Sequence, residues 1–558
     1  MNSEKRYNTK GELVQIIINE KLLDADNPKV KIGNHYTYDI LVKILKNRNI
    51  NNVDKFLNPA LSHLYDPFLL NDMDLAVKRT TEAIKRKEHI CIVGDYDVDG
   101  ITSCSILVNF FKEIGIKTSY YIPKREDGYG LSLNAIKFAN QRGAKLVITV
   151  DNGISSQDEI EFAKILGIDV IITDHHEPNI IPDAYAVVNP KMKNSKYPFR
   201  ELAGVGVAFN FLLALRKTLR DLNFFKKEPN LANYLDLVSL GTLADVVPLI
   251  DVNRVFVKYG LSKSSKALDK LKAVSKIASN LSVYDVAYKI APRINSAGRL
   301  ADANLAIDLF TTTQEVEMLK IATWLDELNI KRKSLQQKIL QEAKSMVNNA
   351  RSYDAIVVSG RWHRGVIGIV AGNLAHIYKK PSIVISEGNF VCVGSGRSIE
   401  SINLFDVIKR NERLLEKFGG HKLAVGITLQ KEHIEPLREA INNEVSKLSV
   451  NFLNQLKVDL ECDIRLFQTN DFLEKLRELE PFGANNEEPT FLVRNAVLKD
   501  IQKKPYSSLI FFDFNGQTKI FLSYETENLK INERYSIAFY ISFNKTYCNF
   551  TVRDIFKE

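Results

Sequence analysis

Residues 89–100 read HICIVGDYDVDG. His89–Val93 is an apolar, β-branched run of strand length; a glycine ends it, and aspartates follow at positions 95, 97 and 99. A short apolar run closed by turn residues is the pattern of a buried strand. The pattern returns three times before residue 190: Lys145–Val150 ahead of DNG, Asp169–Thr173 ahead of DHH, and Tyr185–Val188 ahead of NPK. Helical stretches such as Ser103–Phe111 and Ala135–Gln141 lie between them. Strands and helices alternating at this spacing predict an α/β fold with a parallel sheet. In such sheets ligands bind beyond the carboxyl ends of the strands, where these polar clusters fall.

The chain has 558 residues, too many for one core, so three or four domains are expected. With 45% hydrophobic and 26% charged residues it is neither wholly disordered nor fibrous. No apolar run approaches the ~18 residues of a membrane span, and MNSEKRYNTK lacks the apolar core of a signal peptide. The five cysteines, 91, 104, 392, 462 and 548, include no C-x-x-C pair and read as reduced thiols. The expected compartment is the cytoplasm. The net charge of +9 is unevenly placed: residues 451–558 hold 14 basic and 16 acidic side chains, which leaves the excess on the first 450. That distribution fits a polyanionic partner, and many other enzymes share it.

From Gln314 to about Asn348 no Pro or Gly interrupts a helical pattern in which Val316, Leu319, Leu328, Leu335, Ile339 and Val347 recur. Thr312 and Glu315 are placed to form a capping box at its start. A rod on the order of 50 Å is too long for one domain core and reads as a spacer joining two lobes across a cleft. A Gly-rich α/β segment follows, and then a tail with 18 aromatic residues in 108 positions. Its alternating runs Leu509–Phe514, Lys519–Leu522, Tyr535–Ile541 and Cys548–Val552 predict a small β-barrel. The expected divisions are 1–311, 312–350, 351–450 and 451–558.

Asp95, Asp97 and Asp99 crowd carboxylates on one side of an extended segment, which is costly without a cation. By itself the stretch also reads, less readily, as a solvated acidic turn; an EF-hand is excluded because the twelfth residue from Asp95 is Ile106. Asp151 alone would be a turn residue and Asp245, in GTLADVVPL, a helix terminus. Taken together with His175 and His176, they form a carboxylate–imidazole set with no thiolate. Such a set suits Mn²⁺ or Mg²⁺ rather than structural Zn²⁺, and its size suits two ions, the arrangement of phosphoryl transfer.

DYDVDG, VDNG, DHH and GTLADVVPL, in this order and spacing, resemble the four motifs of the DHH phosphoesterase superfamily. GRWHRGVIGIVAG, GSGRS and FGGHKLAVG resemble its associated substrate-binding domain. APRINSAGRL, the opening LNPALSHLYDPFLL and the aromatic barrel narrow the resemblance to the bacterial single-strand-specific 5′→3′ exonucleases of that superfamily. The resemblance implies a DHH catalytic domain within 1–311, a long helix, a DHH-associated domain at 351–450 and an OB-fold at 451–558. It implies Asp95, Asp97, Asp99, Asp151, His175 and Asp245 as metal ligands. His176 would stand beside them, facing substrate, and complete the catalytic set.

Arg125, Arg293, Arg299, Arg397, Ser398 and His421 lie in glycine-containing stretches; where glycine adjoins, backbone and side-chain donors are exposed together, as a phosphate requires. Each is otherwise an ordinary surface residue; the resemblance assigns them to the scissile strand and its 5′ end. Phe511, Phe521 and Phe539 alternate with polar residues and are read as barrel core. The resulting expectation is two-metal hydrolysis of single-stranded DNA to 5′-mononucleotides in recombination and repair. The family implies single-strand-binding protein and a helicase as partners, a monomer, and no membrane. Two other readings compete: a short-oligonucleotide or cyclic-dinucleotide phosphodiesterase, which would not need the barrel, and a non-catalytic scaffold, which would not need every acidic position filled. Because all proposed ligands precede residue 246, the barrel is expected to be removable without loss of the core.

Overall fold

The four apolar runs are strands, and a fifth joins them. In the computed structural model, which describes residues 2–22, 34–124, 130–348, 354–448, 454–468, 470–543 and 548–558, β1 (His89–Val93), β2 (Thr118–Tyr121), β3 (Ala144–Val150), β4 (Asp169–Thr173) and β5 (Ala186–Val188) form one sheet in the order β2-β1-β3-β4-β5. Every pairing is parallel. Strand order reverses between β1 and β3, the switch point at which doubly wound sheets open a crevice for ligands. Ile90–Val93 and Leu146–Val150 are fully buried, as strands covered by helices on both faces must be.

The helices that matter to the site are α1 (Val98–Glu113), α2 (Gly204–Asp221), α3 (Leu235–Ala244), α4 (Ala291–Leu300), α5 (Glu315–Asn348) and α6 (Arg364–Tyr378). The long helix runs as the sequence predicts, and its buried stripe follows the expected one in the second half, at Leu335, Ile339 and Val347, but departs from it at the start. Met318, Ile321, Ala322, Leu325, Asn329, Arg332, Ile339, Ala343 and Val347 face inward, while Val316 and Leu319 are 70% and 47% exposed. Its start also differs: the Thr312 hydroxyl accepts from the Gln314 N–H (3.3 Å), and Glu315 pairs with Lys266 and Lys270 instead of closing a box on Thr312. The second sheet joins β6 (Ile356–Gly360), β7 (Ser382–Ser386), β8 (Val391–Arg397), β9 (Lys417–His421) and β10 (Ala424–Gln430) in the order β9-β10-β8-β7-β6. α5 packs on α4 through Leu325 and Asp326 and on α6 through Ile339, Ala343 and Val347, so it does link the two α/β parts.

The aromatic tail closes as a barrel. Phe491–Lys503, Ser508–Phe514, Gln517–Ser523, Cys548–Lys557 and Arg534–Phe543 pair in that cyclic order, and the first and last also pair with each other. Phe521 and Phe539 are fully buried, as expected; Phe511 is half-buried on the outer side.

The chain divides into two compact units, one holding residues up to Leu64, Val246–Lys258 and Phe452–Glu558, the other Tyr65–Asp245 and Tyr259–Asn451. The amino-terminal segment, which the sequence groups with the catalytic domain, thus folds with the barrel. Leu13–Ile18 pairs in parallel with Asn454–Val458, and Ile40, Leu41, Ile44 and Phe56 share a core with Phe491, Phe512 and Phe539. Arg254 fixes the third segment. Only 1% exposed, it stacks 3.9 Å over the Phe56 ring and donates to the carbonyls of Phe56, Glu478, Leu479 and Glu480. The expectation that the barrel can be removed cleanly is therefore corrected: the residues up to Leu64 would lose the strand paired with Leu13–Ile18 and most of the core they share.

Candidate metal centre

Every acidic motif reaches one place from the end of a strand or helix. Asp97 is the N-cap of α1, its Oδ1 accepting from the N–H groups of Asp99 (3.0 Å) and Gly100 (3.2 Å). Asp99, in the first turn of α1, is held from the other side, by the N–H groups of Gly204 (2.6 Å) and Val205 (2.9 Å) at the start of α2. A Cβ on Gly241 of α3 would stand 2.7 Å from Asp99 Oδ1, so glycine is what lets α3 come so near. Asp151 follows β3 in the left-handed conformation (φ 61°), its N–H donating to the Thr173 carbonyl. Asp245 ends α3.

His175, at the end of β4, lies among them. Its Nε2 is 3.2 Å from Asp151 Oδ1, 3.5 Å from Asp245 Oδ2 and 4.0 Å from Asp99 Oδ2. Burial first, then the neighbouring His176, pushes its pKa down to about 3, so the ring is neutral. It hydrogen-bonds the Leu202 backbone, while Nε2, like Asp151 Oδ1, makes no hydrogen bond. The bond to Leu202 therefore uses Nδ1 and leaves the Nε2 lone pair facing a carboxylate lone pair. Two lone pairs at that distance must share either a proton or a metal cation, and a backbone bond on the far nitrogen is how ligating histidines are oriented.

The carboxylates carry the same signature. Burial, then Asp245 and Asp97, raises the Asp99 pKa well above the usual range. Asp151 is raised likewise by burial and by Asp99, Asp97, Asp245 and Asp95, and burial followed by Asp97 brings Asp245 to about 7. Three overlapping groups place one donor atom per residue within 4.8 Å: Asp95, Asp97 and Asp151; Asp99, His175 and Asp245; and Asp151, His175 and His176. Oxygen donors with imidazole in overlapping triads fit two hard divalent ions sharing Asp151.

The substrate-side residues fare less uniformly. Arg293 is bound to Asp326 of α5 (2.9 Å) and to the Lys289 carbonyl (2.7 Å), so its guanidinium already has a structural partner. Arg299 donates to the Gly365 carbonyl (3.1 Å). Gly298, between them, lies against Tyr96: a Cβ there would stand 2.5 Å from the Tyr96 carbonyl oxygen. Arg397 and His421 stand opposite the same residue, Ala424, on either side of β10, and in-register neighbours share a sheet face. The Ser398 hydroxyl donates to the Ile402 carbonyl (2.9 Å). Arg125 lies outside the described residues.

Comparison with known proteins finds three family domains along the chain. The DHH family, N-terminal domain, matches residues 89–242, the DHHA1 domain 334–447, and the RecJ OB domain 458–552. The single-stranded-DNA-specific exonuclease RecJ of Salmonella typhimurium is 36% identical over 447 residues, covering 76% of this chain and 78% of that protein. The chain belongs to the RecJ family. RecJ of Bacillus subtilis is 36% identical over 496 residues, 86% of this chain, and this chain spans 62% of its length. The RecJ of Thermus thermophilus in complex with Mn²⁺ superposes with a TM-score of 0.81 at 25% identity, covering 97% of this chain and 80% of that one. A further RecJ exonuclease bound to manganese gives 0.61 at 31% identity, over 70% of this chain and 97% of the other.

Within this RecJ framework two positioning residues escape a reading of motifs alone. Asp174, 1% exposed, accepts from the N–H groups of His175 (2.7 Å), His176 (3.1 Å) and Ile154 (3.0 Å) and from His176 Nδ1 (2.7 Å). Burial would lower the His176 pKa, but that bond outweighs it and lifts His176 to about 9. The first letter of the DHH motif is thus the brace of the other two. Asn295 of α4 accepts from the Val98 N–H (3.1 Å), between Asp97 and Asp99. Only a fold could reveal it, since 197 positions separate the pair.

Proposed function

We propose that this RecJ-family chain is a metal-dependent exonuclease that removes 5′-mononucleotides from single-stranded DNA in the 5′→3′ direction. The observation that carries this reading is the pair of unbonded lone pairs, on His175 Nε2 and Asp151 Oδ1, 3.2 Å apart at the switch point of the sheet. Asp95, Asp97, Asp99, Asp151, His175 and Asp245 would hold two ions, Mn²⁺ or Mg²⁺. When bound, such a pair acidifies water and neutralises charge on the phosphate oxygens. The chain's own residues do the rest. Asp99 is immobilised by two backbone N–H groups, His175 is fixed as a neutral tautomer, and His176, held cationic and braced by Asp174, supplies positive charge on the substrate side. Arg397 and His421 on one sheet face suit a terminal phosphate. Single-strand-binding protein and a helicase are the proposed partners in recombination and repair, with the chain acting as a cytoplasmic monomer.

Single-stranded DNA labelled at either end, incubated with the protein and Mn²⁺, tests the reading. Immediate release of the 5′ label as a mononucleotide is expected. First release of the 3′ label, turnover confined to very short oligonucleotides, or binding without cleavage would each overturn it.

A further inference from the structure

Just before α4 the chain passes through Val283–Asp285 and a π-helical turn, Val286–Ile290, where the Ala291 N–H reaches back to the Val286 carbonyl. Such turns are rare and recur at functional sites. In so wide a turn residues four apart nearly superpose. Val286 and Ile290 are both fully buried and the turn packs on α3. Tyr284 and Tyr288 face the other way, 62% and 66% exposed. Their rings lie 4.8 Å apart at 33°; among the described residues no other stacked pair leaves both rings more than half exposed. Lys289, held by Asp285 (2.7 Å), stands 5.9 Å from the Tyr284 ring.

We propose that Tyr284 and Tyr288, with Lys289 beside them, form a stacking platform for bases of the single strand shortly behind its 5′ end. The platform leads directly into α4, whose Asn295 holds the Val98 N–H and whose Gly298 rests on Tyr96. Seven residues of helix place Tyr288 ~10 Å along the axis from Asn295, about three stacked nucleotides at ~3.4 Å each. A strand whose terminal phosphate reaches the metal ligands would bring its third and following bases to the rings. Aromatic faces take any base, which suits an enzyme without sequence preference, and Lys289 supplies a charge for the backbone. Both rings leave most of their surface in solvent, so packing within the fold accounts for little of them.

The proposal rests on the exonuclease reading, and its test separates the two. Steady-state KM is measured with Mn²⁺ and the full-length protein on strands that are natural or abasic at nucleotides 3–6 from the 5′ end. Stacking of this kind is worth on the order of 5- to 150-fold per base, so the abasic tract should raise the wild-type KM about tenfold or more. Tyr284→Ala/Tyr288→Ala should raise KM on the natural strand as much, and respond little to the abasic tract. Tyr284→Phe/Tyr288→Phe, which keeps both rings, should behave as wild type. An equal abasic effect in wild type and the double alanine variant would overturn the platform. So would a wild-type KM indifferent to the abasic tract, an arm that needs no variant to fold. A wild type that releases nothing from the 5′ end would overturn the exonuclease reading and the platform with it.

Discussion

A Cβ placed on Gly204 would stand 2.6 Å from Oδ1 of Asp151. No real contact is so short, so Gly204→Ala must displace either the start of α2 or the carboxylate. Helix propensity favours alanine over glycine by about 1 kcal/mol, so the sign of the outcome is informative. We expect Mn²⁺ affinity, measured by calorimetry, to fall at least tenfold and Tm to fall as well. A higher Tm with unchanged Mn²⁺ binding would show that the contact does not constrain Asp151.

The pH response of the metal-free protein follows from the raised carboxylates. Asp99 and Asp151 are held well above the usual value and Asp245 at about 7. The folded state therefore binds more protons than the unfolded chain between about pH 4 and 7, and stability falls as pH rises through that window. A divalent ion requires the ionised forms, so its affinity rises over the same window as protons are released. The Tm gap between Mn²⁺-loaded and chelated protein should widen from pH 5 to pH 8. A constant gap would contradict the shared site.

Asp174→Asn keeps the shape of the brace and removes its charge. An amide cannot accept on both sides, so at least one donor among Ile154, His175 and His176 loses its partner, a loss of about 1–3 kcal/mol. The His176 pKa should drop from about 9 toward ~6.5, visible by NMR titration. The alkaline limb of kcat should move with it. An unshifted His176 would remove Asp174 from this role.

The arginines should separate by salt dependence. Each phosphate contact to a single strand contributes ~0.7 to the slope of log affinity against log salt. Arg293 is committed to Asp326, so Arg293→Ala should lower Tm and leave the slope unchanged. Arg397→Ala should reduce the slope and weaken 5′-phosphorylated strands more than 5′-hydroxyl ones. A slope change for Arg293 alone would reverse the assignment.

Deleting residues 452–558 should give a chain that binds the dye ANS and aggregates. It strips the partner strand from Leu13–Ile18 and leaves Ile40, Leu41, Ile44 and Phe56 without their core. Arg254 would also lose its acceptors at 478–480. Removing the first 64 residues together with 452–558 should reduce the aggregation. A monomeric single truncation with a sharp melt would contradict this packing.

Local signals carried most of the fold. Each strand of the parallel sheet that ends in a motif was legible because burial on both faces demands an unbroken β-branched run. Thr118–Tyr121, the edge strand, is half-buried throughout and gives no such run. The metal centre was legible because its chemistry requires unusual residues at strand ends. Partners far apart in sequence were not: Asp326 holding Arg293, Asn295 holding Val98, and Asn454–Val458 pairing with Leu13–Ile18 are settled by tertiary approach, which leaves no local pattern. The first half of the inward stripe of α5 was misread for a related reason. Asn329 and Arg332 are buried because Arg332 donates to Asn329 and Gln336, a pairing that hydrophobic periodicity does not count.

The unit that contains the barrel is sewn from the two extremes of the chain, and this has a consequence for synthesis. Ile18 pairs with Val458, so the ribosome makes one strand about 440 residues before the other. At ~5–20 residues per second the wait is on the order of 20–90 s. Throughout it the nascent chain presents Leu13–Ile18, an apolar segment with an open edge, of the kind that seeds aggregation. The α/β unit can collapse in the meantime; the other has only its Asn2–Tyr7 hairpin partner and must wait for the rest of its core. Production of active protein should therefore depend on nascent-chain holding factors more steeply than the stability of the finished molecule would suggest.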